Sequence, residues 1–109
     1  EKQQSYVEET LKYIENNYYH TCNIQDIADT LNLERTYLYR LFKNKTGFSM
    51  QEYLIDYRIR KACDLLRKTT LLISDIARSV GYEDSLYFSK LFKAKKGTTP
   101  SFYRKQLSL

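Results

Sequence analysis

The 109-residue chain predicts an all-α fold of about seven helices: two units of short helix, tight turn and longer helix, joined by a long linker helix. Three observations predict it. One stretch is written twice. Apolar residues recur at helical rather than strand spacing. Breakers are scarce, with three Gly and one Pro in the whole chain.

The duplicated stretch runs from Ile24 to Gly47 and again from Ile73 to Gly97. Ile24, Asp26, Ile27 and Ala28 answer to Ile73, Asp75, Ile76 and Ala77. Leu41, Phe42, Lys43, Lys45 and Gly47 answer to Leu91, Phe92, Lys93, Lys95 and Gly97. The offset is 49 residues before the turn and 50 after it, so one extra residue sits between Gly81 and Asp84. Asn32 and Gly81 occupy equivalent places, and both residue types accept positive φ, as a sharp corner requires. Two helices joined by such a corner form a helix-turn-helix unit.

Taken in order, Ser5 and Glu8 have capping-box spacing and predict the start of a first helix with Val7, Leu11 and Ile14 inward. The polar run Asn16 to His20 ends it. Asn23 is placed to cap the helix beginning at Ile24, with Asp26 in its first turn favoured by the helix dipole. In the following helix Leu38, Leu41 and Phe42 face inward. Gly47 stops that helix, and Ser49 with Glu52 forms another capping box that opens the longest one. Its apolar line of Tyr53, Leu54, Tyr57, Ile59, Ala62, Cys63, Leu65 and Leu66 holds phase to about Arg67. Some 19 residues at about 1.5 Å each make a strut of roughly 28 Å.

The second copy begins at Leu72, where no capping side chain is available, so its first helix should fray more easily. Ile76, Ala77 and Val80, then Phe88, Leu91 and Phe92, face inward. Gly97 is again the stop. Thr99 then caps a last short helix with Pro100 at its first position and Phe102, Tyr103 and Leu107 along it. The expected organisation is a first helix-turn-helix subdomain at 1–48, a linker helix at 49–67 and a second subdomain at 68–109.

Charge points to a partner. The net +5 lies wholly in the second half: residues 1–48 carry 6 Lys and Arg against 7 Asp and Glu, whereas 49–109 carry 12 against 6. A basic helical domain suggests a polyanion, nucleic acid first. Catalysis is not expected, because no Ser/His/Asp or Cys/His pairing, glycine-rich phosphate loop or carboxylate cluster is present. The thiols Cys22 and Cys63 are read as reduced, Cys63 in the core and Cys22 near a helix entry. With His20 as the lone histidine there are too few ligands for zinc, and no metal or other cofactor is expected. No apolar run approaches a membrane span and no signal peptide opens the chain, which predicts a cytoplasmic protein.

The helical wheel selects the side chains that can meet DNA. With the inward lines removed, Arg35, Thr36, Tyr39 and Arg40 in the first unit and Ser85, Leu86, Ser89 and Lys90 in the second lie on the N-terminal turns that meet base edges. Arg40 has the fork for a guanine, and Leu86 the methyls for a thymine. Lys43 and Lys93, further along, are expected at phosphates, as are Tyr37 and Tyr87. Successive major-groove faces lie about 34 Å apart, close to the separation that such a strut imposes. Since the copies differ, the site should be asymmetric.

The run from Ile73 through Gly81, Tyr82, Phe88, Leu91, Phe92, Gly97 and Pro100 to Arg104 resembles the signature of the AraC/XylS family of bacterial transcription regulators. Arg58, Ala62, Leu65 and Leu66 of the strut match as well, and the likeness covers nearly the whole chain. The resemblance implies promoter binding through two helix-turn-helix units, with RNA polymerase as a second partner of the many members that activate. It places base reading on the same eight residues. Some relatives hold a large aromatic at the place of Thr36 and an amide at that of Tyr39, departures that bear on the target sequence and not on the activity. Arg58 matches a strut arginine read as an ion-pair or phosphate partner, the structural role favoured.

The resemblance further implies a longer regulator whose other part senses a small molecule, often a sugar, or serves as a phosphorylated receiver, and carries any dimer interface. A chain opening at Glu1 without Met fits such a fragment. The competing reading is a basic helical module that docks on a protein without reading sequence. A thiol enzyme built on Cys22 or Cys63 is disfavoured, as neither cysteine has a nearby His.

Overall fold

The computed structural model describes residues 2–20 and 22–107, which form seven helices and no strand. They are α1 (Lys2–Asn17), α2 (Ile24–Thr30), α3 (Arg35–Thr46), α4 (Met50–Lys68), α5 (Ile73–Ser79), α6 (Ser85–Lys96) and α7 (Pro100–Leu107). Two compact units divide within α4, between Ile55 and Asp56. Among the described residues no helix is long and apolar enough to cross a membrane.

In the first unit α1 and α2 both pack on α3. The core gathers Val7, Ile27, Ala28, Leu38, Leu41, Phe42 and Met50, with Tyr13, Leu31, Leu33 and Tyr53 against it. Helix α1 starts at Lys2, ahead of the expected cap at Ser5, which lies exposed within the helix. Lys2, Gln3 and Gln4 are good helix formers and carry the helix past Ser5. The stripe is also richer than its apolar letters: Thr10 is buried, its hydroxyl donating to the Tyr6 carbonyl at 2.9 Å, while Leu11 is half-buried. A satisfied hydroxyl can occupy a core position that hydropathy alone rejects.

Several boundaries follow the chemistry expected of them. Asn23 Oδ1 accepts from the Gln25 N–H at 3.0 Å. Before α4, Ser49 Oγ accepts from the Glu52 N–H at 3.0 Å while Glu52 accepts from the Ser49 N–H at 2.8 Å, a complete reciprocal box. Thr99 Oγ1 accepts from the Phe102 N–H at 3.2 Å, with Pro100 opening α7. Leu72 provides no side-chain cap to α5.

In the second unit α6 packs on α5 and α7. Ile59, Ala62, Cys63, Leu66, Ile76, Ala77, Val80, Phe88 and Phe92 are buried. The Phe92 ring lies 6.0 Å from Phe88 and meets Tyr103 edge-on at 5.4 Å. Tyr82, expected only as part of a turn, is buried too, with Arg58 stacked 4.9 Å from its ring centre. Arg58, matched to a strut arginine read as an ion-pair or phosphate partner, is 8% exposed and makes a cation–π contact with Tyr82. Burial raises the Tyr82 phenol above its ordinary pKa, and Arg58 opposes that rise.

Candidate nucleic-acid interface

Each unit builds its exposed longer helix, α3 or α6, on a corner with one residue at positive φ. In the first, Asn32 has φ 57°, and the Leu33 N–H reaches back to the Ala28 carbonyl at 2.9 Å. In the second, Gly81 has φ 105°, and the Tyr82 N–H reaches the Ala77 carbonyl at 2.8 Å. The corners are therefore equivalent down to the hydrogen bond that closes them. The extra residue of the second copy falls after this bond, at Glu83, where it leaves the closure undisturbed.

An acidic residue caps each of these helices, a feature not foreseen from the sequence. Glu34 Oε2 accepts from the Thr36 N–H at 3.2 Å and Oε1 from the Tyr37 N–H at 3.0 Å. Those backbone donors, with Arg40 adding to them, hold the Glu34 carboxyl below its ordinary pKa. Asp84 Oδ1 alone accepts from both the Leu86 N–H at 2.9 Å and the Tyr87 N–H at 3.2 Å. The readable signal was an acid immediately before each long helix, one turn ahead of its first inward residue. The two caps thus occupy two backbone N–H groups at the start of each helix.

On α3, Arg35, Thr36, Tyr39, Arg40 and Lys43 are all exposed and share one helical face, opposite Leu38, Leu41 and Phe42. Tyr37, 38% exposed, stands at its edge, and its hydroxyl accepts from Gln3 Nε2 at 3.4 Å. A cavity of about 320 Å³ opens beside this helix between Gln3, Tyr37, Arg40 and Lys45. The cationic rim and the phenol make this a surface suited to hydrogen bonding and to negative charge.

On α6 the face is turned slightly. Leu86 is 75% exposed and Tyr87 52%, with Lys90 and Lys93 open to solvent. Ser85 and Ser89, expected fully outward, are half-buried, and Leu91, expected inward, is half-buried as well. Phe88 and Phe92 explain the turn: ring contacts with Tyr82 at 5.9 Å and Tyr103 at 5.4 Å draw that side of α6 inward, and the serines flanking it are small enough to follow. Tyr87 meets Tyr82 edge-on at 5.9 Å, which fixes the plane of its exposed ring.

Comparison with known proteins agrees with this geometry. A family model described as a helix-turn-helix domain matches residues 27–106. The chain is 41% identical over 103 residues to the Msm operon regulatory protein of Streptococcus mutans, and 40% identical over 103 residues to the lactose operon transcription activator of Staphylococcus xylosus. Each match takes in 94% of this chain and 37% of the relative, so the chain spans little more than a third of their length. Among solved structures, the C-terminal domain of AraT, a response regulator from Geobacillus stearothermophilus, superposes with a TM-score of 0.89 at 34% identity, covering 93% of this chain and 84% of that one. The fold and the family are those of DNA-binding transcription regulators, which are not enzymes. A duplicated corner, two capped and exposed longer helices and these likenesses agree on one assignment: the chain belongs to the AraC/XylS family of helix-turn-helix transcription regulators.

Proposed function

We propose that the chain is the DNA-reading part of a longer, sugar-responsive bacterial activator, and that it reads an asymmetric promoter site with both units at once. In this reading residues 1–48 and 68–109 are the two reading subdomains and 49–67 the connecting helix. Helices α3 and α6 enter successive major grooves. Arg35, Thr36, Tyr39 and Arg40 meet the bases of one box, and Ser85, Leu86, Ser89 and Lys90 those of the other. Lys43, Lys93, Tyr37 and Tyr87 hold the flanking phosphates. The carrying observation is that one scaffold is present twice with different side chains on the exposed face. Arg40, with its planar fork, stands where the second copy has Lys90, and Thr36 where it has the apolar, protruding Leu86. Equivalent frames with unequal faces suit two unlike boxes.

The lactose operon activator, whose matching segment is 40% identical, supports a sugar effector and positive control. On this reading the protein works in the cytoplasm, touches RNA polymerase as well as DNA, and carries its sensor and any dimer contacts outside this segment.

Selection of the chain from a random duplex library, followed by footprinting of the winner, tests the proposal. Two unlike boxes about one helical turn apart are expected. Binding without enrichment, vanishing as salt rises, would leave only phosphate attraction and favour the competing view of a basic module that docks on protein.

A further inference from the structure

One side chain of α7 spans the segment on which the second reading unit hangs. Arg104 Nε donates to the Leu66 carbonyl at 3.3 Å, Nη2 to the Thr69 carbonyl at 3.2 Å and Nη1 to the Leu71 carbonyl at 2.6 Å. These acceptors belong to the last turn of α4 and the connection to α5. They are carbonyls that no helical N–H can satisfy, at the helix end where a cation is favoured. Thr69 tightens the same connection, its hydroxyl donating to the Leu65 carbonyl at 2.7 Å and accepting from the Leu71 N–H at 3.3 Å. The next residue, Leu72, stands at the N-cap of α5 with extended φ and ψ, 68% exposed, and contributes no capping side chain. The first unit anchors the equivalent helix start through Asn23.

We infer that Arg104 is the positioning residue of the second reading unit: its three hydrogen bonds fix residues 69–71 and do for α5, from outside, what the Asn23 side chain does for α2. Helix α5 carries the corner at Gly81, and the corner sets α6, so freeing the connection frees the helix that reads bases. Arginine is required because its rigid fork reaches carbonyls spread over six residues, whereas lysine presents its donors from a single nitrogen. The inference rests on the DNA-reading proposal for its consequence but not for its geometry.

The test uses the whole chain and the duplex that it selects. Arg104→Ala and Arg104→Lys should each weaken binding about tenfold, the scale on which losing a helix cap and charge-assisted hydrogen bonds acts. Footprint contacts should be lost at the box read by α6 and kept at the other, with the slope of affinity against salt unchanged. Adding Leu72→Ser to Arg104→Ala, which gives α5 a cap of its own, should recover most of the loss. Wild-type affinity in Arg104→Lys, with a salt slope reduced by about one in Arg104→Ala, would overturn the inference and make Arg104 a phosphate contact. Equal weakening at both boxes, or no rescue by Leu72→Ser, would overturn it also. Amide exchange at Leu71 to Ile76 in the free protein separates the two readings. Faster exchange there in Arg104→Lys supports the clamp even if the wild type selects no sequence, and unchanged exchange sinks it.

Discussion

The two helix-turn-helix units share a backbone solution and differ in how they secure it. Both corners close with the same back-reaching hydrogen bond, and both long helices end on a glycine at positive φ, Gly47 at 85° and Gly97 at 81°. The first unit relies on local side chains, with Asn23 capping α2 and Glu34 using both oxygens on α3. The second keeps the local cap of Asp84 on α6 but leaves α5 uncapped and draws on distant residues: Arg104 on the connection, Arg58 over Tyr82, and Tyr103 against Phe92. A duplicated fold therefore constrains the corner tightly and its support loosely, which leaves each exposed helix face free to diverge.

The largest expected effect separates the two cores. Phe42 and Phe92 are equivalent and fully buried, and truncation of either to Ala should destabilise by about 3–5 kcal/mol. Among the described residues Phe42 makes one ring contact, with Tyr53 at 5.9 Å, whereas Phe92 makes two, with Phe88 and Tyr103. Phe92→Ala should therefore cost roughly 1 kcal/mol more than Phe42→Ala in denaturant unfolding. A smaller loss for Phe92→Ala would mean that the aromatic network adds nothing to burial.

The next effect compares the reading faces on the selected duplex. Arg40→Ala should weaken binding by about 1–3 kcal/mol and relax base preference at one position. Lys90→Ala, at the equivalent place, should cost less and act more evenly across sequences, because an ammonium is a point charge without a fork. Reversal of that order in competition binding would make the second helix the principal reader and require α3 to serve mainly as an anchor.

What could be read in advance follows the same division. The corners were legible because Asn32 and Gly81 carry their backbone conformation in their chemistry, and the box at Ser49 and the cap at Thr99 because capping is local in sequence. Buried Phe88 and Phe92 followed from helical spacing. Arg104, Arg58 and Tyr82 were not assigned these contacts, since their partners lie about 24 to 38 residues away and nothing in spacing reports a stacked guanidinium or a clamped carbonyl. Ser85 and Ser89 were placed fully outward because a wheel assumes an undistorted inward line, and the ring contacts of Phe88 and Phe92 shift it.

A third, smaller effect isolates the caps. Asn23→Ala should destabilise by about 1 kcal/mol, since it removes the acceptor for the Gln25 N–H. Leu72→Ala removes an exposed side chain that caps nothing and should stay within about 0.5 kcal/mol of the parent. Comparable losses in thermal melting would show that Leu72 supports α5 by packing and that the contrast between the units is only apparent.

The smallest effect concerns protonation of the cap that the first unit uses most fully. Glu34 is fully exposed, yet the Thr36 and Tyr37 N–H groups, chief among the causes, lower its pKa in the folded chain. In the unfolded chain it has its ordinary value. The native state therefore binds this proton less readily, and the stabilisation that Glu34 provides is complete above the ordinary glutamate range and disappears as pH falls through the lowered folded value. NMR titration of the side-chain carboxyl should give a midpoint below that of an unstructured glutamate. Thermal melts of the parent and Glu34→Gln should differ at neutral pH and converge in acid, once the parent carboxyl is itself neutral. A gap that stays constant down to the most acid pH would mean that the cap works by hydrogen bonding alone, as readily from an amide oxygen as from a carboxylate, and that the charge on Glu34 adds nothing to the first unit.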